Sequence, residues 1–162
     1  MASCCLRNMS PWPRHAPAKN KGELAVDFMT EYLDLCREKP GWLSYHFANV
    51  TPFGQYLLAS TIRNGDAHLK NFSLIRNDFG EMELSPSYDL MSTIIHTPGE
   101  RDTALDLYGK DHESEYYATY GHYGRTDFIE FAKRLGIVEV RYRRIINEFI
   151  ENESVVNDFI NN

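Results

Sequence analysis

Apolar residues in the segment 22–39 fall three and four positions apart, at Leu24, Phe28, Met29, Tyr32, Leu35 and Cys36. On a 3.6-residue repeat they form one stripe, which predicts an amphipathic helix ending before Pro40 and Gly41. From Trp42 to Ile62 the chain is again aromatic and aliphatic, but Pro52 and Gly54 interrupt it. Proline lacks a backbone donor and glycine is a poor helix former, so a helix is expected to resume near Phe53 and run to Ile62. The period then shortens. Phe72–Arg76 and Glu81–Leu84 read as two extended runs about Asn77-Asp78-Phe79-Gly80, a hairpin signal.

After Pro98 and Gly99, Ala104–Leu107 reads as one more short strand, and the last third of the chain is helical. Thr126 or Asp127 is a candidate cap for a helix through Leu135, with Glu130 placed to help and Gly136 as the stop. Val138, Tyr142, Ile145, Ile146, Phe149 and Ile150 share one face of a following helix, and Val155, Val156, Phe159 and Ile160 suggest a final short turn. Residues 1–21 carry Pro11, Pro13 and Pro17 and follow neither period, which suggests a flexible lead-in to a single domain over 22–162. The fold class these elements define is α+β, mainly helical, with a small β-hairpin.

Composition narrows the function classes. The 162 residues suit one domain with one core. No apolar stretch approaches the roughly 18 residues of a membrane span, and the start lacks a secretory signal's apolar run, so a cytoplasmic protein without membrane attachment is expected. Three cysteines, Cys4, Cys5 and Cys36, offer neither a disulfide framework nor zinc spacing and read as reduced thiols. A net charge of −6 argues against direct binding to a nucleic-acid backbone. It leaves room for ATP, whose phosphates a metal ion can screen.

Potentially reactive side chains concentrate in Asn64-Gly65-Asp66-Ala67-His68-Leu69-Lys70-Asn71, just before the hairpin, and in Ser85-Pro86-Ser87-Tyr88-Asp89-Leu90, just after it. An aspartate, an asparagine five residues on, and a second aspartate beyond a hairpin match the division of labour in phosphoryl transfer. Asp66 would accept the proton of an attacking hydroxyl, while the Asn71 amide oxygen and the Asp89 carboxylate would hold Mg²⁺. Lys70 and His68 would place donors near the γ-phosphate. His46, His96, His112 and His122 are scattered and read as surface or hydrogen-bonded histidines. Tyr116, Tyr117, Tyr120 and Tyr123 read as an aromatic loop, and Arg141, Arg143 and Arg144 as a solvated helix face that could meet an acidic partner.

The longer string is more specific. Gly65-Asp66-x-His68-Leu69-Lys70-Asn71-Phe72-Ser73-Leu74, a glycine-containing turn, and Leu84-Ser85-Pro86-x-Tyr88-Asp89-Leu90 together resemble the C-terminal kinase lobe of HipA-like serine/threonine kinases, the toxins of type II toxin–antitoxin pairs. The likeness is strongest over 56–93 and looser through 104–110 and 126–136. It implies the C-terminal lobe of a protein-kinase-like fold, with catalytic loop 64–71 and metal segment 85–90. By the same likeness Asp66 is the catalytic base, Asn71 and Asp89 are the Mg²⁺ ligands, and His68, Lys70 and Tyr88 line the nucleotide. Such kinases transfer phosphate from ATP to a protein Ser/Thr hydroxyl, the best-known target being an aminoacyl-tRNA synthetase, and pair with a small helix-turn-helix antitoxin.

A kinase also needs a lobe that covers the phosphates and supplies a gripping lysine. Gly22, Gly41 and Gly54 are isolated, so no glycine-rich loop precedes Asp66. The expectation is therefore the catalytic half of a kinase, either a truncated frame or a fragment whose small lobe is encoded on a separate chain. Alternatives are a noncatalytic interaction module of the same fold and a small-molecule phosphotransferase akin to aminoglycoside or choline kinases. Those families share Gly-Asp-x-His-x-x-Asn but follow it with an Ile-Asp-Trp-like metal segment, where this chain has Ser-Tyr-Asp-Leu. A metallohydrolase using Asp66, His68, Asp89 and His96 lacks recognisable ligand spacing.

Overall fold

The computed structural model describes residues 25–44, 48, 50–97, 104–107 and 114–161, with side chains through Asn152. The expected lead-in over 1–21, His46 and His112 lie outside these residues. The elements in chain order are α1 (Ala25–Glu38), α2 (Val50–Thr61), β1 (Leu74–Arg76), β2 (Met82–Leu84), α3 (Glu115–Tyr120), α4 (Arg125–Arg134) and α5 (Glu139–Asn161). Single 3-10 turns at Leu69–Asn71 and Thr93–Ile95 flank the hairpin. Among the described residues the class is α+β, mainly helical with one two-stranded antiparallel sheet.

Helix α1 buries Phe28, Met29, Tyr32, Leu33 and Cys36, close to the predicted stripe, with Leu33 in place of Leu35 on its inner face. Burial pushes the Tyr32 hydroxyl and the Cys36 thiol up from their ordinary pKa values, so both stay protonated near neutral pH. The first amides of α1 find acceptors far along the chain. Ala25 N–H donates to the Asp106 carbonyl at 2.8 Å and Val26 N–H to that of Leu107 at 3.3 Å, filling positions that a helix start cannot satisfy itself. Residues 104–107 are thus an irregular segment with bridge-type pairing at Asp106 alone, not the expected strand.

Helix α2 starts at Val50, earlier than expected, because Pro52 falls in its first turn, where a missing N–H forfeits no intrahelical bond. The helix then runs without a break past Gly54 and buries Phe53, Tyr56 and Leu57. Phe131 of α4 lies 6.0 Å from Phe53 and 5.7 Å from Tyr56 between ring centroids, and Tyr56 donates its hydroxyl hydrogen to the Leu105 carbonyl at 2.6 Å. These aromatic contacts knit α2, α4 and the 104–107 segment into one core, with Tyr142 and Ile146 of α5 completing it.

The hairpin is shorter than its sequence signal, pairing Leu74 with Leu84, Ile75 with Glu83 and Arg76 with Met82. Asn77 shapes the turn: its Oδ1 accepts from the amides of Phe79 and Glu81, while Gly80 takes a left-handed φ of 81°. Residues 41–43 lie alongside β2. Met82 N–H donates to the Gly41 carbonyl at 2.7 Å, and Leu43 N–H to that of Met82 at 2.9 Å.

The C-terminal helices differ from expectation in several places. Gly124, not Thr126 or Asp127, is the N-cap of α4; Asp127 sits at the third helical position, is 2% exposed, and accepts the Gly124 N–H at 2.8 Å. A side chain there would crowd the Tyr116 ring, since a Cβ would lie 2.9 Å from it. Glu130 pairs with Arg134 instead, and Gly136 ends the helix at φ 69°, as its sequence position predicted. Residues 155–160 belong to the same 23-residue α5 and are not a separate turn. Val138 and Ile150, placed on the buried face by periodicity, are exposed. Tyr116, Tyr117 and Tyr120 lie on α3 and not in a loop, and Tyr117 stacks on the buried Tyr123 at 4.4 Å.

Candidate active site

Helix α2 delivers the chain into 64–71, and the hairpin reverses it so that 85–93 returns beside that loop. Two backbone positions make the bends possible. Arg63 and Asp89 both adopt left-handed φ values, 54° and 55°, a conformation most side chains avoid and Asp and Asn tolerate best. Such strain persists only where surrounding bonds enforce it.

Asn64 supplies those bonds. It is 2% exposed, donates its amide Nδ2–H to the Asp89 carbonyl at 3.0 Å and accepts the Asp66 N–H on Oδ1 at 3.2 Å. One buried side chain thus ties the backbones that carry both aspartates. Thr93 forms a second tie: its hydroxyl accepts from Gly65 N–H at 2.7 Å and donates to the Arg63 carbonyl at 3.2 Å. Tyr88 makes a third, donating to the Lys70 carbonyl at 2.6 Å and meeting the Ser73 hydroxyl at 2.5 Å. Gln55 of α2 donates to the Ser85 carbonyl, anchoring the start of the returning segment.

This lattice brings the functional side chains together. Asn71 Nδ2 donates to Asp89 Oδ2 at 3.0 Å across 18 residues of sequence. The bond uses the amide nitrogen, so the Asn71 amide oxygen takes no part in it and keeps its acceptor capacity. Asp66 and His68 approach each other, with Nε2 at 3.9 Å from Oδ1 and side chains 44% (His68) and 60% (Asp66) exposed. His68 Nδ1 is buried without a hydrogen-bond partner, and such orphans are uncommon enough to call for a reason. Lys70 is exposed at the same loop. Tyr88 turns its hydroxyl onto the protein, where its bonds to Lys70 and Ser73 brace the loop.

Asn64, Thr93 and Arg63 are the parts that sequence reasoning left without a role. Asn64-Gly65 signals a turn, and nothing in the pattern distinguishes a buried clamp from a solvated turn residue. Among the described residues no three His, Cys, Asp or Glu side chains converge on a common point, so Asp66, His68, Asp89 and His96 form no transition-metal cluster. Among the same residues no helix is long and apolar enough to cross a membrane.

The chain belongs to the family of HipA-like C-terminal domains, whose model matches residues 42–156 and so takes in α2, both site loops and most of the C-terminal helices. Two relatives are named as kinases. Over 61 residues, 37% of this chain, it is 52% identical to the "Putative kinase Y4dM" of Sinorhizobium fredii; over 112 residues, 64% of this chain, it is 30% identical to the "Putative kinase" of Haemophilus influenzae. The matched stretches span 15% and 33% of those proteins.

Proposed function

We propose that this chain is the catalytic lobe of a HipA-like, ATP- and Mg²⁺-dependent kinase that phosphorylates a Ser/Thr hydroxyl of a protein. The observation that carries the reading is the 3.0 Å contact between Asn71 and Asp89, with Asp66 on the same short loop as Asn71. Membership in the HipA-like family and relatives named as kinases support it.

In this reading Asp66, exposed and positioned through its own amide by Asn64, receives the proton of the acceptor hydroxyl. The hydroxyl oxygen bonds to the γ-phosphorus as the bond to the ADP oxygen breaks. His68 and Lys70 stand on the same loop, where the exposed Lys70 ammonium and the partly exposed His68 ring would meet the phosphates. The donor set also fits Mg²⁺. This hard cation prefers oxygen, and in nucleotide sites it takes one or two protein ligands, the rest coming from phosphates and water. Asn71 and Asp89 would hold the ion, which when bound neutralises phosphate charge. A phosphate-gripping small lobe, on a separate chain or elsewhere in a longer protein, completes the nucleotide site. By family likeness we assign a helix-turn-helix antitoxin as regulatory partner and the cytoplasm as its compartment.

A thermal-shift titration tests the nucleotide site. ATP with Mg²⁺ is expected to raise Tm, the rise to vanish with EDTA and to be lost in Asp89→Asn. Asp66→Ala should keep that shift and lose phosphate transfer in the complex completed by a small lobe. No metal-dependent shift in the unaltered chain, either alone or completed by a small lobe, would overturn the reading in favour of a noncatalytic interaction module.

A further inference from the structure

A cavity of about 440 Å³ opens between the end of α2, the start of α4 and α5. The buried Leu57 and Phe128 line it, together with the more exposed rings of Tyr116 and His122. Arg63 and Arg125 line the same cavity, and no Asp or Glu does. These two arginines differ from most others in the chain. Arg37, Arg134, Arg143 and Arg144 each stand 2.6–3.4 Å from a carboxylate. Among the described residues the Arg63 guanidinium has no hydrogen-bond or ion-pair partner, and Arg125 meets only the neutral Asn147 amide oxygen, at 3.3 Å. The one acid in the first turn of α4, Asp127, is buried and turned to the Gly124 N–H.

On a chain of net charge −6, the cavity is therefore a local reversal of sign that attracts an anion. Arg63 is partly buried, where a charge without a counter-charge is disfavoured. Its backbone is strained as well, at φ 54°, a conformation that glycine or asparagine adopts at less cost. The bonds of that backbone, from its amide to the Ser60 carbonyl and to its carbonyl from Thr93, could be made by any residue but proline. What only arginine supplies there is the guanidinium on the cavity. A phosphate monoester carries a charge of about −1.5 to −2 at pH 7 and three acceptor oxygens. It answers two guanidiniums at once, and their forked donors engage such oxygens in pairs; a single carboxylate leaves one arginine unanswered. Arg63 also adjoins Asn64, which ties the backbones of Asp66 and Asp89, and the Arg63 carbonyl accepts both the hydroxyl and the amide of Thr93 at 3.2 Å.

We propose that this cavity binds a phosphate monoester between Arg63 and Arg125, and that its occupancy steadies the bend at Arg63 and so tightens the hold of the neighbouring loops on Mg²⁺–ATP. The binding half stands on the charge and shape of the cavity. The coupling half rests on the phosphotransfer reading. Phosphoserine, the group such a lobe makes, and a mononucleotide are two sources of the same chemistry.

Isothermal titration of the full chain in EDTA tests it, with a short phosphoserine peptide and AMP as probes and the aspartate twin of the peptide as control. A phosphate ester is expected to bind about tenfold more tightly than the aspartate peptide, and less tightly as salt rises. Preference for the phosphopeptide identifies a phosphorylated protein segment as the source; preference for AMP identifies a mononucleotide. Binding should persist in Asp89→Asn, which separates the cavity from the nucleotide site. Arg125→Glu should lower the affinity at least about tenfold while leaving the Mg²⁺–ATP thermal shift in place. Arg63→Asn should lose the ester with Tm unchanged or higher, because asparagine tolerates the left-handed backbone. Saturating ester should tighten Mg²⁺–ATP about fivefold, and Mg²⁺–ATP should tighten the ester by the same factor. No binding of either ester overturns the proposal, as does binding that neither arginine variant weakens. Equal Mg²⁺–ATP affinity with and without the ester refutes the coupling. Ester binding in a chain that gives no metal-dependent ATP shift, alone or completed by a small lobe, would refute the kinase reading and leave the phosphate site standing.

Discussion

Two regions meet at α2, and they are held together in opposite ways. Between α2 and α4, Phe53, Tyr56, Phe128 and Phe131 pack as rings, each buried to within a few per cent, and their contribution scales with apolar area removed from water. Just beyond the end of α2, loops 64–71 and 85–93 are joined by a few polar bonds from Asn64, Thr93 and Tyr88, with two residues held at positive φ. Many nondirectional contacts share the load in the core, so one lost ring weakens the molecule without moving a particular atom. The loops depend on single directional bonds, each fixing where one backbone group lies. Stability therefore resides chiefly in the first region and geometry in the second.

Substitutions can break that contrast. The largest effect is expected from Phe131→Ala, which removes a fully buried ring touching both Phe53 and Tyr56 and should cost about 3–5 kcal/mol in urea unfolding. The folded fraction of this variant should still show the full Mg²⁺–ATP shift. Asn64→Ala comes next, at about 1–3 kcal/mol, since it removes the partner of the Asp89 carbonyl and the Asp66 amide at a part-buried site. Here the nucleotide response should fall far more than stability does, because Asp89 loses the bond that holds its left-handed backbone. An Asn64→Ala protein with an unchanged nucleotide response would dissolve the distinction. Tyr88→Phe should be mildest, at about 0.5–1.5 kcal/mol. It deletes the bonds to Lys70 and Ser73 and should lower nucleotide affinity modestly, whereas a Tyr88 that touched the nucleotide directly would make the loss severe.

The same contrast governs what could be read in advance. Helices α1, α4 and α5 and the hairpin were legible because a repeating apolar pattern follows element geometry, as with Phe28, Met29, Tyr32 and Cys36 on α1. Misreadings occurred where the neighbours decide. Residues 104–107 read as a strand from composition, yet serve as acceptors for the first amides of α1, about 80 residues earlier. Asp127 read as a cap and instead reaches back to Gly124, whose backbone lies close against the Tyr116 ring. Val138 and Ile150 obey the period and remain outside, because periodicity specifies a face without specifying what covers it.

By itself the sequence determined the local elements, the membership of Asp66, His68, Lys70, Asn71 and Asp89 in two short motifs, and the kind of chemistry those residue types support. All of these follow from side-chain identity and spacing within one stretch of chain. Tertiary structure decided that Asn71 and Asp89 stand 3.0 Å apart, that Asn64 clamps both loops, and that Arg63 and Arg125 line one cavity. The physical reason is that directional bonds and cavity walls join residues brought together by the packing of separate elements, and no local pattern records that packing.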